Sequence, residues 1–371
     1  FLYFFHFSML LTGALGIYFL LKDFVLEKYG ESAKKWGAVA GAVFYLFNLG
    51  TLQMFYLPWE TFSTHFGFLP WLFWGVFRYL KEPSKKNLLI FILINILSVS
   101  QGYVATVFLV YLMALGLVLT GYVIARGFAS WRSRTGLLRH FIPRNDIKNS
   151  IVVLFVTFCV NAFWLLPNLY FVISDVGVNT GAKISQMATE NNLLLNKKYG
   201  DFKNVALLKG FWFDNVEIQS SGKTDFIMGD WVARLQNPYV MGIGYLLFGL
   251  AILGILAGIK TKNKYSLLFL PVFFLGFTFL ANDTWGFSFI TKLFYKLPLF
   301  SQIFRFPFTK FAILTAFCEA IFYGVAVSVI AKGLSLKQSH KKSGLPRRFA
   351  PRNDIVFKDL GLKFSTLLYI L

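Results

Sequence analysis

The chain has 371 residues, of which 56% are hydrophobic and only 15% are charged, with a formal net charge of +20. Soluble chains average about 45–50% apolar and about 25% charged residues, so an ordinary soluble fold is excluded. The apolar residues form blocks of roughly twenty, the length that a helix needs to cross about 30 Å of hydrocarbon. A transmembrane β-barrel would instead alternate over segments of about ten residues. The sequence therefore predicts an all-α, polytopic integral membrane protein.

Nine apolar blocks predict nine transmembrane helices. Two of the blocks are short, and either one could be re-entrant rather than spanning. In chain order the predicted spans are Phe1–Leu21, Trp36–Leu57, Phe66–Leu80, Leu88–Gln101, Val104–Ala125, Ile151–Ile173, Tyr239–Ile259, Tyr265–Leu280 and Pro307–Ala331.

The distribution of charge predicts the orientation of the chain. Most of the 37 basic residues lie in alternate connections, whereas the long segment Ser174–Pro238 has as many acidic as basic residues. Basic loops stay in the cytoplasm during insertion, so the basic connections are expected inside and the long segment outside. The basic set comprises Lys22–Lys35, Arg78–Lys86, Arg126–Lys148, Lys260–Lys264 and the tail from Lys332.

These patterns predict a transmembrane domain over residues 1–331, with an extracytoplasmic loop at 174–238. That loop is too long for a passive connection, and its aromatic residues favour short interfacial helices over disorder. The segment Asn282–Lys310 interleaves aromatic and basic residues and predicts another interfacial helix before the last complete span. A basic cytoplasmic segment at 332–360 is followed by 361–371, interpreted as the start of a truncated further span.

An internal repeat lies in two of the predicted cytoplasmic regions, 126–148 and 332–360. GLLRHFIPRNDI at Gly136–Ile147 and GLPRRFAPRNDI at Gly344–Ile355 match at nine of twelve positions. The spans beside them do not repeat, so the fold itself is not duplicated. The segments resemble translated palindromic repeat elements of bacterial reading frames, and the favoured interpretation is a tolerated insert. A patch for nucleic acid or anionic lipid is the alternative.

The first candidate cluster is LPWETFSTHFG, at the predicted outer end of a span. Glu60 and His65 could deprotonate a sugar hydroxyl or hold a metal, with Trp59 beside them. An ordinary interfacial loop anchored by Trp59 is the alternative. The four histidines and two cysteines show no metal-ligand spacing.

The second candidate cluster is cationic. Arg305 and Lys310 lie in FRFPFTKF, with Lys292 and Lys296 before them in the chain, and their predicted outer location runs against the positive-inside trend. Binding a lipid-linked phosphate would explain them, because Arg and Lys recognise phosphate through charge-assisted hydrogen bonds. Snorkelling to headgroup phosphates explains them equally well.

Isolated residues complete the candidate set. Glu319 lies in mid-span, where an acid is costly and often functional, although a structural hydrogen bond is nearly as plausible. In the outer segments, four residues could contact a sugar or be merely solvated: Trp212, Asp230, Trp231 and Asp283.

Three stretches carry a resemblance to a known family. HFSMLLTGALGIYFLL at His6–Leu21, NVALLKGFWF at Asn204–Phe213 and FRFPFTKF at Phe304–Phe311 resemble the GT-C class of integral membrane glycosyltransferases. Within that class the chain is most similar to the N-terminal membrane region of bacterial cell-wall arabinofuranosyltransferases and to YfhO-type proteins.

This resemblance implies inverting transfer of a sugar from a polyprenyl-phosphate donor to an envelope glycan, at the outer face of the bacterial cytoplasmic membrane. It implies donor-phosphate contacts at Arg305 and Lys310, secondary roles for Glu60 or His65, and a main catalytic acid upstream of Phe1. No particular cofactor is implied, and binding of a divalent metal ion remains an alternative. The expected partners are the sugar donor, the glycan acceptor and the lipid bilayer, and no nucleic-acid partner is expected. A transporter or flippase of lipid-linked glycans and a non-catalytic scaffold are the alternatives.

Overall fold

The computed structural model describes residues 2–56, 59–133, 144–181, 183–218, 222–297 and 299–343. Both copies of the repeat except residues 144–147, and the predicted start of a further span, lie outside these ranges. The described part is almost entirely helical, which agrees with the predicted fold class. In chain order the first half consists of α1 (Leu2–Leu20, continued by a π-helical turn at Leu21–Val25), α2 (Glu31–Leu46), α3 (Leu49–Tyr56), α4 (Glu60–Lys81), α5 (Lys85–Leu97), a 3-10 turn at Val99–Tyr103, α6 (Ala105–Ser133) and α7 (Arg144–Gly181).

The second half contains the last long helices and the long segment 174–238, named the outer segment for its predicted location. Its only strands in the described ranges form a two-stranded antiparallel hairpin, which pairs Val216 with Phe226. The elements are α8 (Lys183–Lys198), α9 (Phe202–Ala206), a 3-10 turn at Phe211–Asp214, β1 (Val216–Ile218), β2 (Thr224–Phe226), α10 (Gly229–Arg234), α11 (Pro238–Lys260), α12 (Lys264–Leu268), α13 (Leu270–Leu280), α14 (Phe287–Tyr295), α15 (Phe300–Ile303) and α16 (Pro307–Ser343).

Among the described residues, five helical segments are each long and apolar enough to cross a membrane. They lie in α1, α6, α7, α11 and α16, and α2 with α3 makes a sixth if the pair, bent by 45°, is one broken span. The chain is therefore a multi-pass membrane protein. The other three predicted spans are also helical, as α4, α5 and α12–α13, but they fall short of this test by length or composition, so a count of nine crossings stays a prediction.

Two helices form the centre of the bundle. α4 is buried along nearly its whole length, and α16 is buried from Pro307 to Ala326 with few interruptions. The two helices meet where Phe73 stacks on Phe317, with ring centroids 5.5 Å apart. Stacked and edge-to-face aromatic contacts of this kind give the Phe-rich sequence its core.

Small residues let neighbouring helices approach these two closely. A Cβ at Gly254 of α11 would lie 1.8 Å from the carbonyl oxygen of Phe322 in α16. A Cβ at Gly37 of α2 would lie 1.9 Å from the Oγ of Ser328. Close backbone approach at small residues is typical of helix association in membranes, where the hydrophobic effect contributes little between helices.

The side chains of Asn48 and Thr51 bridge the bend between α2 and α3. The Asn48 amide donates to the carbonyls of Phe44 and Tyr45, and its Oδ1 accepts from the Thr51 amide at 2.8 Å. These bonds satisfy backbone groups that the break in the helix would otherwise leave unpaired. The bend directs α3 toward the long outer segment, where the candidate site lies.

Candidate functional site

Gln53 of α3 fixes the outer segment to the bundle. Its side chain is fully buried, and its Nε2 donates to the Leu208 carbonyl at 2.9 Å, while its Oε1 accepts from the Gly210 amide at 2.9 Å. Leu208 has a positive φ of 54°, a conformation that is costly for a branched side chain. Two hydrogen bonds at this turn therefore set the path of the NVALLKGFWF stretch.

A second attachment joins the outer segment to the loop after α13. The Asp283 amide and the Thr284 hydroxyl both donate to the Gly200 carbonyl at 3.0 Å. The carboxylate of Asp283 faces Lys197, with 3.5 Å between Nζ and Oδ1. Asp283, predicted to contact a sugar, is thus ion-paired at an exposed position.

The two aromatic motifs meet each other in the structure. The Phe211 ring lies 5.6 Å from that of Phe306 and 6.2 Å from that of Phe308, and Gly210 packs directly against the Phe308 ring. Asn196 of α8 also reaches this junction, where its Oδ1 accepts from the Phe308 amide at 3.4 Å. The loop motif and the start of α16 thus form one structural unit.

Lys310 lies at the base of this unit. It is 8% exposed, its Nζ donates to the Thr309 hydroxyl at 3.2 Å, and it lies 5.5 Å from the centroid of the Phe62 ring. The charged group that acts on it is another cation, the half-buried Arg305. No acidic group within the described ranges pairs with Lys310, so a buried ammonium lacks a counter-charge.

The first turn of α4 adds the other predicted cluster to the same place. The Trp59 ring lies 6.1 Å from the Phe62 ring, so Trp59 and Lys310 both contact Phe62. Glu60, the first residue of α4, is exposed beside them. The structure therefore brings one residue from each predicted cluster to a shared aromatic ring.

His65 lies apart from this group. It is 1% exposed, and its Nδ1 is 3.0 Å from the Oε1 of Gln101, while Nε2 is buried without a hydrogen bond. Ser63, two residues earlier, points the other way and lies 2.6 Å from the Nδ1 of His6. In the described ranges, no three His, Cys, Asp or Glu side chains gather in a way that could hold a metal.

The remaining predicted residues are dispersed over the outer segments. Trp212 is buried and its Nε1 has no hydrogen bond, so its ring is not open to a ligand. Trp231 is half-buried under the Arg234 guanidinium, 5.6 Å from its ring centroid. Asp230 and Lys292 are exposed.

Glu319 lies deep in α16. It is 1% exposed, and its Oε1 makes no hydrogen bond with any described residue. Nine residues of helix separate it from Lys310, roughly 13 Å along the axis. Glu319 and Lys310 are therefore separate features of the same helix.

Sequence reasoning missed Gln53, Asn196 and Tyr199. Gln53 interrupts an apolar run, and a polar residue there is a signal for a buried hydrogen-bonding role. Tyr199 is buried beside Asp214, and burial together with that carboxylate raises its pKa above the ordinary value. It lines a small cleft with Asn196, Lys209 and Phe308 that has about 10 Å³ of interior space, room for one water molecule.

The site is therefore a buried lysine, with no acidic partner in the described part of the chain, beneath an anchored outer segment, and an exposed carboxylate lies at the start of the neighbouring helix. Comparison of the chain with protein-family models, with curated proteins and with solved structures finds no match in any of the three.

Proposed function

We propose that the chain is the membrane region of a glycosyltransferase that takes a sugar from a polyprenyl-phosphate donor at the extracytoplasmic face. The supporting observation is Lys310, which is buried and has no acidic partner in the described part of the chain. Burying a charge is costly unless it is paired, so a lysine of this kind is suited to an anion that arrives from outside. A phosphate of the donor would supply that charge.

The proposed step is an inverting displacement. The acceptor hydroxyl oxygen attacks the anomeric carbon, the bond from that carbon to the phosphate oxygen breaks, and polyprenyl phosphate leaves with the bonding electron pair. Lys310 and Arg305 stabilise the negative charge that develops on the phosphate. The hydroxyl proton passes to a carboxylate, and Glu60 is the candidate in this chain. Trp59, Lys292, Asp230, Trp231 and Asp283 are proposed to border the sugar path.

The proposed topology places the basic connections in the cytoplasm and residues 174–238 outside a bacterial inner membrane. Nine crossings would be completed by α4, α5 and α12–α13 together with the six longer spans. The hydrogen bonds at Gln53 and at the Gly200 carbonyl support a location on the same side of the membrane for the outer segment, the start of α16 and the loop after α13.

The test is turnover of a polyprenyl-phosphate sugar by the full-length protein and by a Lys310→Gln variant. Loss of a charged hydrogen bond to phosphate costs about 1.5–3 kcal/mol, so kcat/KM should fall roughly 10- to 100-fold. Lys203→Gln is the matched control, because Lys203 is an exposed lysine of the outer segment. Unchanged turnover in folded Lys310→Gln protein would remove this donor site.

A transporter or flippase of lipid-linked glycans is the second candidate, favoured by the Oε1 of Glu319 inside α16, which has no hydrogen bond among the described residues. In that case Glu319→Gln should abolish movement of the lipid-linked glycan across proteoliposomes. The transferase proposal expects the same variant to keep sugar transfer, since Glu319 is far along the helix from Lys310. A non-catalytic scaffold would show neither activity in the unmodified protein.

A further inference from the structure

A buried histidine, His6 of α1, lies beside the first turn of α4. It is 5% exposed, and its ring meets the Phe5 and Phe55 rings edge-on, with centroids 5.4 and 6.4 Å away. Its Nδ1 lies 2.6 Å from the Oγ of Ser63, which is also buried. Aromatic neighbours thus hold the ring in place, and a hydrogen bond limits its rotation.

The Ser63 hydroxyl decides which nitrogen of the His6 ring carries the proton. A serine within a helix often donates to the carbonyl four residues earlier, yet in the described ranges the bond to Nδ1 is the one that this hydroxyl makes. Donation to Nδ1 satisfies the buried hydroxyl and makes Nδ1 the acceptor. The proton of the neutral ring therefore lies on Nε2, and Nε2 is a donor.

This donor has no acceptor among the described residues. The Nε2 of His6 is buried and makes no hydrogen bond with any of them. A buried donor without a partner is unfavourable, so an acceptor that comes within reach of Nε2 would be held there.

Glu60 is the acid that can supply the acceptor. It is the charged group that acts on His6, and it begins α4 three residues before Ser63. Side chains three residues apart lie on the same face of a helix, so Glu60 shares a face of α4 with the pair of Ser63 and His6. Because Glu60 is exposed, a change of rotamer can bring one of its carboxylate oxygens to Nε2.

We propose that His6 is a positioning residue for Glu60, whose carboxylate it holds by donating from Nε2 to one oxygen. The other oxygen then faces the acceptor hydroxyl. This role rests on the proposed function, in which Glu60 takes the hydroxyl proton. That proton goes to the oxygen that His6 does not bond, and His6 keeps its own proton. Phe62 of the same turn contacts Lys310, so the base and the donor-phosphate contact lie beside one turn of α4.

Turnover of the polyprenyl-phosphate sugar by full-length variants separates positioning from packing. His6→Phe keeps an aromatic ring and removes the donor, so kcat should fall about tenfold with little change in KM, because Glu60 acts in the chemical step. His6→Gln keeps an N–H donor and should lose less activity than His6→Phe. A merely structural role predicts the opposite order, since a phenyl ring suits the aromatic surroundings better.

A double-variant cycle tests whether His6 acts through Glu60. In a Glu60→Gln protein, His6→Phe should lower kcat by less than about twofold, because the carboxylate that His6 positions is already absent. Ser8→Ala is the control in α1 and should keep kcat, since the Ser8 hydroxyl donates to the Phe4 carbonyl of its own helix.

Nitrogen NMR of protein with isotope-labelled histidine tests the pairing without turnover. The His6 signals, assigned by their loss in His6→Phe, should show the ring proton on Nε2, and Ser63→Ala should weaken that preference. Glu60→Gln should shift the Nε2 signal. Glu82→Gln, at an exposed position beyond the other end of α4, should not.

Three results would overturn the positioning role of His6: an unchanged kcat in His6→Phe, a larger loss in His6→Gln than in His6→Phe, or an Nε2 signal that does not respond to Glu60→Gln. A lack of turnover in the unmodified protein would instead refute the proposed function. The NMR signals would still decide whether His6 and Glu60 interact.

Discussion

Replacing Gln53 with Met should release the outer segment from the bundle while leaving the bundle folded. Met is close to Gln in size, so the change removes hydrogen bonds without opening a cavity. It leaves two buried backbone groups unpaired, the Leu208 carbonyl and the Gly210 amide, which Gln53 bonds at 2.9 Å. An unsatisfied buried polar group costs about 1–3 kcal/mol, so two such groups should make local opening easier by roughly 2–6 kcal/mol.

Hydrogen–deuterium exchange read by mass spectrometry measures this opening directly. At about 1.4 kcal/mol per tenfold, amides of residues 204–213 should exchange roughly 30- to 20,000-fold faster, while α4 and α16 stay protected. Gln236→Met is the control, because Gln236 is exposed in the same segment. Unchanged exchange at 204–213, or equal acceleration throughout the bundle, would refute the anchoring role of Gln53.

Two further variants test the packing that positions the site. Gly254→Ala places a Cβ 1.8 Å from the Phe322 carbonyl and should lower the melting temperature in detergent by several degrees, whereas Gly249→Ala, with open space around it, should not. Asn263→Ala removes the hydrogen bond from Asn263 to the Val25 carbonyl at the π-helical turn. It should lower the free energy of unfolding by about 1–3 kcal/mol. An unchanged free energy of unfolding would mean that water replaces the side chain.

Apolar periodicity and block length predicted where helices occur, and each of the nine predicted blocks is helical in the described residues. The boundaries were less accurate where polar residues are buried. The third block was predicted from Phe66, yet α4 begins at Glu60, because Ser63, Thr64 and His65 are each satisfied by partners on other elements. Prediction from hydropathy assigns such polar residues to a loop, although here they belong to the helix.

The hairpin at 216–226 was not predicted, since its strands are three residues long and all their residues are exposed.

The sequence analysis named residues of the candidate site but did not predict which of them lie together. Arg305 and Lys310 were selected because they are cations among aromatic residues and depart from the predicted cytoplasmic location of most basic residues. Nothing in the sequence places Gln53 beside Leu208, 155 positions away, since that contact exists only after the helices pack.

The helical segment α12–α13 should cross the membrane although it is short. Its 17 residues span roughly 25 Å, less than the ~30 Å of hydrocarbon. α11 begins at the outer segment with Pro238 and runs across the bundle to Lys260. The Asp283 amide nevertheless donates to Gly200, which belongs to the outer segment. Because α12–α13 is the helical segment between Lys260 and Asp283, it should cross back over the distance that α11 spans.

Cysteine labelling in a chain with Cys159 and Cys318 replaced tests this return. Thr261→Cys, at the exposed end of α11, should react with a membrane-impermeant maleimide only in inverted vesicles. Trp285→Cys, where the side chain is 95% exposed, should react only in right-side-out vesicles. Labelling of both from one side would mean that α12–α13 does not cross. It would also contradict the contact between Gly200 and Asp283, on which the common location of the outer segment and the loop after α13 depends.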